Sequence, residues 1–286
     1  DHQHMGSAVG AAGNDQRREL ERSPWHRSGS GGHGLAAVAG WHLALLGHAR
    51  GDGGKVVVSV FVNPRQFGPG EDFDRYPRDL EGDSEKLREA GVDLLFAPTV
   101  DEMYPDGFAT TVHVAGVSEG MEGARRPGHF DGVATVVARL LGLVLPDVAV
   151  FGQKDAQQCA VVMRLVKDLG LPVEVLVAPT VRESDGLAMS SRNAYLAPEE
   201  RKAAPALFRA LLVAQLVHEL GEKKAEKILK AFRLALETEP RIALDSVDLV
   251  DAATMRPVEK VDRPVLLAAA VKVGRTRLID NVVFGG

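Results

Sequence analysis

Two regimes of apolar patterning divide the chain. Up to about residue 180, short β-branched runs alternate with stretches at helical spacing. Residues 55–62 (K-V-V-V-S-V-F-V) are almost continuously apolar. Their length and valine content favour a buried parallel strand over a buried helix. Further strands are expected at 92–96, 147–151 and 172–177. Helices are expected at 79–90, 129–145 and 155–169, the second with Val133, Val136, Val137, Leu140, Leu141 and Val144 on one side. Residues 35–50, rich in Leu and Ala, read as a helix ended by G-D-G-G at 51–54. Strands alternating with helices build βαβ units, so the class is α/β with a parallel sheet.

Beyond about residue 181 the texture changes. Helices are expected at 198–220 and 222–236, then strands at 246–250, 265–271 and 277–284. That order predicts a separate, smaller α+β domain, with the boundary near Pro179. Three regions follow: a poorly ordered, tag-like stretch at 1–34, rich in Gly, Ser, Arg and His; a sheet domain at 35–180; and an α+β domain at 181–286.

Composition narrows the function classes. Among 286 residues, 34 are Lys or Arg and 39 are Asp or Glu, a net charge of −5. Such a balance gives no general attraction to nucleic acid or to an anionic membrane. An anionic ligand therefore needs a local basic site. The single cysteine, Cys159, excludes an intrachain disulfide and fits a reducing cytoplasm. No apolar run approaches the roughly 20 residues of a membrane span.

Four segments carry candidate chemistry. F-G-Q-K-D-A-Q-Q (151–158) sits where a strand gives way to a helix, the usual ligand position in open α/β sheets. There Gly152 permits close approach, Lys154 offers a point charge to a phosphate, Asp155 is placed to cap the helix, and Gln157 or Gln158 could hold a hydroxyl or carboxylate. L-A-M-S-S-R-N (187–193) combines two hydroxyls with a guanidinium, as a phosphate clamp does. V-N-P-R-Q-F-G (62–68) follows the first clear strand, and its Asn63 and Gln66 are neutral donors suited to a hydroxy acid. R-R-P-G-H-F-D-G (125–132) brings Arg125, Arg126 and His129 ahead of a buried helix. Taken singly, each also reads as an ordinary capping turn or polar loop. Asp72, Asp74, Asp79 and Asp83 form an acidic stretch that could meet Mg²⁺ or be a solvated face. Cys159 reads as a small core residue. Together the phosphate-competent segments point to an ATP-using enzyme with its site between two domains.

The segments V-S-V-F-V-N-P-R-Q-F-G-P-G-E-D-F-D-R-Y-P-R-D, R-P-G-H-F-D-G-V-A-T-V-V, F-G-Q-K-D-A-Q-Q and P-T-V-R-E-S-D-G-L-A-M-S-S-R-N closely resemble the pantothenate synthetase (pantoate–β-alanine ligase) family. The likeness runs from about residue 56 to 196 and, more loosely, to D-N-V at 280–282. It implies a Rossmann-like domain of the nucleotidylyltransferase superfamily, a smaller C-terminal lid, a homodimer, and cytoplasmic synthesis of pantothenate. The reaction implied joins pantoate to β-alanine through a pantoyl-adenylate, using ATP and Mg²⁺ and releasing AMP and pyrophosphate.

By that resemblance Gln66 and Gln158 hold pantoate, and Gln66 borders β-alanine. Gly152, Gln153, Lys154 and Asp155 lie on ATP, and Val181 meets the adenine. Met189, Ser190, Ser191 and Arg192 match the synthetase K-M-S-K-S loop. Asn63, Tyr76, Arg126 and His129 line the pocket. His42, Lys154 and Arg192 are the implied catalytic groups, and Asp83 is the Mg²⁺ candidate. The family's strand ending in P-T-M-G-A-L-H-x-G-H is not recognisable in S-G-S-G-G-H-G. Ala39 stands for its first histidine and Trp41 for its glycine, while His42 keeps the second histidine. Gln153 replaces a usual Glu and Ala156 a usual Tyr. These departures leave open a pantoate-binding homologue with impaired ATP chemistry. A related nucleotidylyltransferase acting on another small acid is the other alternative.

Overall fold

The structure, a computed structural model, describes residues 35–39 (as backbone), 54–68, 73 and 79–285. The tail at 1–34, His42, Tyr76, and Asp72 and Asp74 of the acidic stretch lie outside them.

The helix expected from residue 35 is corrected at its start. Leu35–Ala39 is strand β1, the middle strand of a five-stranded sheet. Leu and Ala favour helices in isolation. Pairing on both edges decides otherwise here: Ala37 opposes Val57 on one side and Ala149 on the other, all parallel. Ala39 therefore closes a strand instead of standing in the turn after it.

β2 (Lys55–Ser59), β3 (Leu94–Phe96), β4 (Val148–Gly152) and β5 (Glu174–Ala178) complete the sheet in the order β3-β2-β1-β4-β5, every pair parallel. Its helices are α1 (Leu80–Glu89), the short α2 (Val100–Met103) and α3 (Met121–Arg125), then α4 (His129–Val144) and α5 (Ala156–Leu169). Asp79 caps α1 by accepting from the Gly82 amide at 3.0 Å. Successive strand residues enter different cores, as the two-residue period requires. Val56, Val58, Val150 and Ala178 pack with Leu87 of α1, while Ala149, Phe151 and Val177 pack with Val133, Val161 and Val162 of α4 and α5. Both faces are covered, which is why β2 carries no polar alternation.

The single helix expected at 198–220 is two: α6 (Pro198–Ala203) and α7 (Ala206–Glu219). Pro205 lies between them, and a proline cannot donate within a continuing helix. After α8 (Ala225–Leu236) come β6 (Ile242–Asp251), β7 (Val265–Val273) and β8 (Thr276–Phe284), an antiparallel sheet in that order. One face of β7 (Val265, Leu267, Ala269, Val271) packs on Leu207, Leu211, Ile228 and Phe232 of the α7–α8 hairpin. Leu266, on its other face, belongs to the core of the parallel sheet. The two sheets thus share a wall. Truncating the fully buried Phe232, on the helix-covered face of β7, would cost about 3–5 kcal/mol.

Candidate functional site

The strand order reverses between β1 and β4. In doubly wound sheets the crevice at the carboxyl ends beside such a reversal is the ligand position. A cavity of about 1040 Å³ lies there, between the ends of β2 and β4 and the inner face of β7 and β8. Its lining includes Asn63, Gln66, Arg126, His129 and Gln158. It also includes Gly152, Lys154 and Asp155 with Met189, Ser190, Ser191 and Arg192.

Asn63 is an orienting residue, 3% exposed, with every polar position used inside the protein. Its Oδ1 accepts from the Arg65 amide (3.2 Å) and the Tyr104 hydroxyl (2.8 Å). Its Nδ2 donates to the Gly132 carbonyl and to Oε1 of Gln66, each at 3.0 Å. An amide proton and a carbonyl pin the two ends, so the carboxamide has one orientation. Gln66 must then offer oxygen to Asn63, and its NH₂ is left for a ligand acceptor. Gly132 is required in α4, because a Cβ there would collide with the Arg65 carbonyl. The Gln66 carbonyl accepts from Nδ1 of His129 at 2.7 Å and from Arg126 at 3.3 Å. A carbonyl cannot donate, so His129 carries its proton on Nδ1, and Nε2 accepts from Arg126 at 3.1 Å.

The 151–158 segment is a strand, one 3₁₀ turn (Gln153–Asp155) and the start of α5. Asp155 occupies the N-cap position but makes no side-chain capping bond, which corrects the capping role expected of it. Its carboxylate faces the cavity instead. The Lys154 ammonium lines the cavity without a carboxylate within ion-pair distance among the described residues. Gln157 is excluded as a ligand group: its Oε1 accepts from the Glu122 amide, and its Nε2 donates to the Val117 and Gly120 carbonyls. Gln158 is left to face the cavity. Cys159 is fully buried and its thiol bonds the Gly152 carbonyl; burial pushes its pKa up, so it is an inert core residue.

Residues 187–192 line the same cavity. The Met189 amide bonds the Val181 carbonyl at 2.9 Å, and Ser190 caps the 3₁₀ turn Ser191–Tyr195 by accepting from the Arg192 amide. Asn193 braces the loop by donating to Glu183 and the Ala188 carbonyl. Three expected residues are not brought to the cavity surface. Gln153 turns away to bond Asn281, and Val181 touches the site only through that backbone bond. Asp83 lies in the first turn of α1, with Lys86 at 3.9 Å; burial raises its pKa, which Lys86 opposes. Among the described residues no three His, Cys, Asp or Glu side chains gather as a metal cage.

Several residues escaped the sequence reading. Arg277 of β8 grips Glu122 of α3 with both terminal nitrogens (2.8 and 2.7 Å) and Asp245 of β6 with Nε (2.9 Å). Arg125, which the sequence did single out, makes a parallel pair with Asp248. These pairs close the cavity from the side, and all five side chains line it. Asp280 and Asn281 of β8 hold the two loops described above. The D-N-V match was the only signal in the sequence, and it gave them no role.

Comparison with known proteins fits this geometry. A family model described as pantoate-beta-alanine ligase matches residues 37–283. The chain is 52% identical over 254 residues to pantothenate synthetase of Moorella thermoacetica, covering 87% of this chain and 90% of that one. It is 51% identical, with the same coverage, to that of Acetivibrio thermocellus. The crystal structure of pantothenate synthetase from Thermus thermophilus superposes with a TM-score of 0.84 at 52% identity, covering 93% of this chain and 96% of that one. A pantoate-beta-alanine ligase from Francisella tularensis, complexed with beta-gamma ATP and beta-alanine, gives 0.70 at 29% identity, covering 87% and 89%. With sequence, fold and cavity in agreement, this chain belongs to the pantoate–β-alanine ligase family.

Proposed function

We propose that the chain condenses pantoate with β-alanine at the expense of ATP, through a pantoyl-adenylate, releasing pyrophosphate and AMP. The observation that carries this reading is one cavity that holds two kinds of group: the carboxamides of Gln66 and Gln158, and the cations Lys154 and Arg192. The carboxamides suit the hydroxyl and carboxylate of a hydroxy acid. The cations suit a triphosphate.

In this reading pantoate is held by the Gln66 NH₂ and by Gln158, with its carboxylate directed at the α-phosphorus. Lys154, the Ser190 and Ser191 hydroxyls and Arg192 offset charge on the phosphoryl oxygens as pyrophosphate leaves. Gly152 lets the nucleotide lie against the strand end, and the start of α5 adds its dipole. The Val181 and Met189 backbone takes the adenine side. Asn63, Arg126 and His129 hold Gln66 in place. The β-alanine amine then attacks the acyl carbon and AMP departs. Positioning carries most of the acceleration, and no protein nucleophile is required. His42 is assigned to the phosphoryl oxygens and Tyr76 to the pocket by family likeness alone.

Mg²⁺ belongs to the same proposal, arriving on the nucleotide phosphates, which supply most of its ligand charge in such sites. The carboxylate placed to meet it is Asp155, in preference to Asp83, which lies away from the cavity. Residues 35–180 are taken as the substrate domain and 181–286 as the lid. A cytoplasmic homodimer completes the reading. Its supports are the lone buried Cys159 and the edge strand β3, where Leu94 lies half-exposed beside Leu143. Among the described residues no helix is long and apolar enough to cross a membrane.

The test is pyrophosphate release by the purified chain with ATP, Mg²⁺ and pantoate. The expected result is release that requires pantoate, and pantothenate formation once β-alanine is added. Release that ignores pantoate, or prefers another small acid, would overturn the assignment.

A further inference from the structure

Asp280 and Asn281 are neighbours on β8, so their side chains leave opposite faces of the strand. Each is only 3% exposed. Asn281 reaches toward the parallel sheet. Its Nδ2 donates to the carbonyls of Gln153 and Lys154, both at 2.9 Å, and its Oδ1 accepts from the Gln153 side-chain amide at 3.3 Å. Asp280 reaches the other way. Its two oxygens accept both terminal nitrogens of Arg182, at 2.6 and 3.0 Å. The same carboxylate accepts the backbone N–H of Asn281 at 2.8 Å, which joins the two arms.

Arg182 stands at the root of the 187–192 segment. Its guanidinium lies 3.5 Å over the Phe208 ring and donates to the Gly186 carbonyl at 3.1 Å. Its backbone pairs with Ala188, just before Met189. One dipeptide thus grips the turn bearing Lys154 on one side and the base of the Ser190–Arg192 loop on the other. The two segments are far apart in sequence, and Lys154 sits on a long flexible stem. Its reach is set by where its peptide is anchored, and both carbonyls flanking that anchor are spoken for by one buried amide.

We infer that Asp280–Asn281 is a positioning element that sets the spacing between Lys154 and the Ser190–Arg192 loop, so that both meet one phosphate chain. The inference rests on the reading above that Lys154 and the Ser190–Arg192 loop hold ATP. Neither residue touches the reacting atoms; both act through the loops they hold.

The test is a double-mutant cycle on pantoate-dependent ATP–pyrophosphate exchange, using the full chain with Lys154→Ala, Asn281→Ala and the pair. Asn281→Ala should slow exchange about 100-fold at saturating ATP, the usual scale for a misplacement of about 1 Å. Pantoate binding should be unchanged. In the Lys154→Ala background the same change should cost less than about threefold, because the group it positions is gone. Additive losses would mean that Asn281 merely supports the fold and would overturn the inference. Asn281→Asp should do no better than Asn281→Ala, since a carboxylate cannot donate to two carbonyls; exchange near the wild-type rate would also overturn it. If circular dichroism finds both Asn281 variants unfolded, Arg182→Lys tests the other arm. It keeps the charge but cannot span both Asp280 oxygens, so exchange should fall, non-additively with Ser190→Ala; an additive fall would refute the proposal. Wild-type exchange by Lys154→Ala would instead remove the ATP role of Lys154, and the inference would go with it.

Discussion

Asn63 donates to Oε1 of Gln66 at 3.0 Å, and that one bond decides which end of Gln66 meets the cavity. Because the Arg65 amide and the Gly132 carbonyl fix Asn63, the Gln66 NH₂ is left to the cavity. Gln66→Glu should therefore replace a donor by an acceptor and raise the KM for pantoate about 10–100-fold, the scale of one lost polar contact plus repulsion. The KM for ATP should hold. Steady-state kinetics with each substrate varied in turn checks this, and an unchanged pantoate KM would refute the orientation.

Lys154 lines the cavity without an ion-pair partner among the described residues, so its loss should be felt in chemistry more than in stability. Lys154→Ala is expected to slow single-turnover pyrophosphate release about 10²–10³-fold, the range for one preorganised charge-stabilising group. Thermal unfolding should move little. Near-normal release would sink the assigned role.

The contact between α4 and the Pro64–Gln66 turn is too close for any side chain at Gly132. Gly132→Ala should cost about 1–3 kcal/mol through overpacking. The same change pushes on the Arg65 peptide next to Gln66. Pantoate binding should therefore weaken along with stability. A variant that binds pantoate normally at reduced melting temperature would confine the effect to packing.

The ion pairs of Arg277 join α3 to β6 and β8 beside the cavity. Arg277→Lys loses the bidentate bond to Glu122 and the Nε bond to Asp245. The expected cost is about 1–2 kcal/mol for a partly exposed network, measurable as a shifted urea midpoint. A midpoint within error of wild type would show that solvent already screens the pairs.

Asp245 gives the network a pH signature. The hydrogen bond from Arg277 holds its carboxyl below the ordinary 3.8, with burial opposing and the charges of Arg277 and Lys272 adding. A depressed folded-state pKa stabilises above the unfolded value, and the gain fades as pH falls below it. Wild type should thus melt above Asp245→Asn by a constant margin near neutrality. That margin should shrink from about pH 4 downward. A margin independent of pH between about 6 and 3 would show that the charge of Asp245 contributes nothing.

Much of the site was legible in the chain because it lies in short contiguous segments at strand ends. Asn63 and Gln66, or Lys154 and Gln158, are close in sequence, so spacing alone places each set on one turn. Roles within a set were harder to read. Asn63 looked like a ligand group and proved to be the residue that orients Gln66, because burial and partners are tertiary properties. By spacing alone Gln157 and Gln158 were equivalent, the family resemblance favoured Gln158, and the Val117–Glu122 segment claims Gln157.

β-Branched runs, capping residues and helical spacing determined by themselves an α/β chain with a parallel sheet followed by an α+β part. They act over a few residues and need no partner to be recognised. Only the tertiary structure decided the rest. Leu35–Ala39, helix-forming on propensity, became the central strand because two neighbours offered it ladder bonds on both edges. Arg182, Glu122, Arg277, Asp280 and Asn281 acquired partners up to 155 residues away. Contacts at such separations have no period and no local composition, and they exist only once both sheets have closed around the cavity.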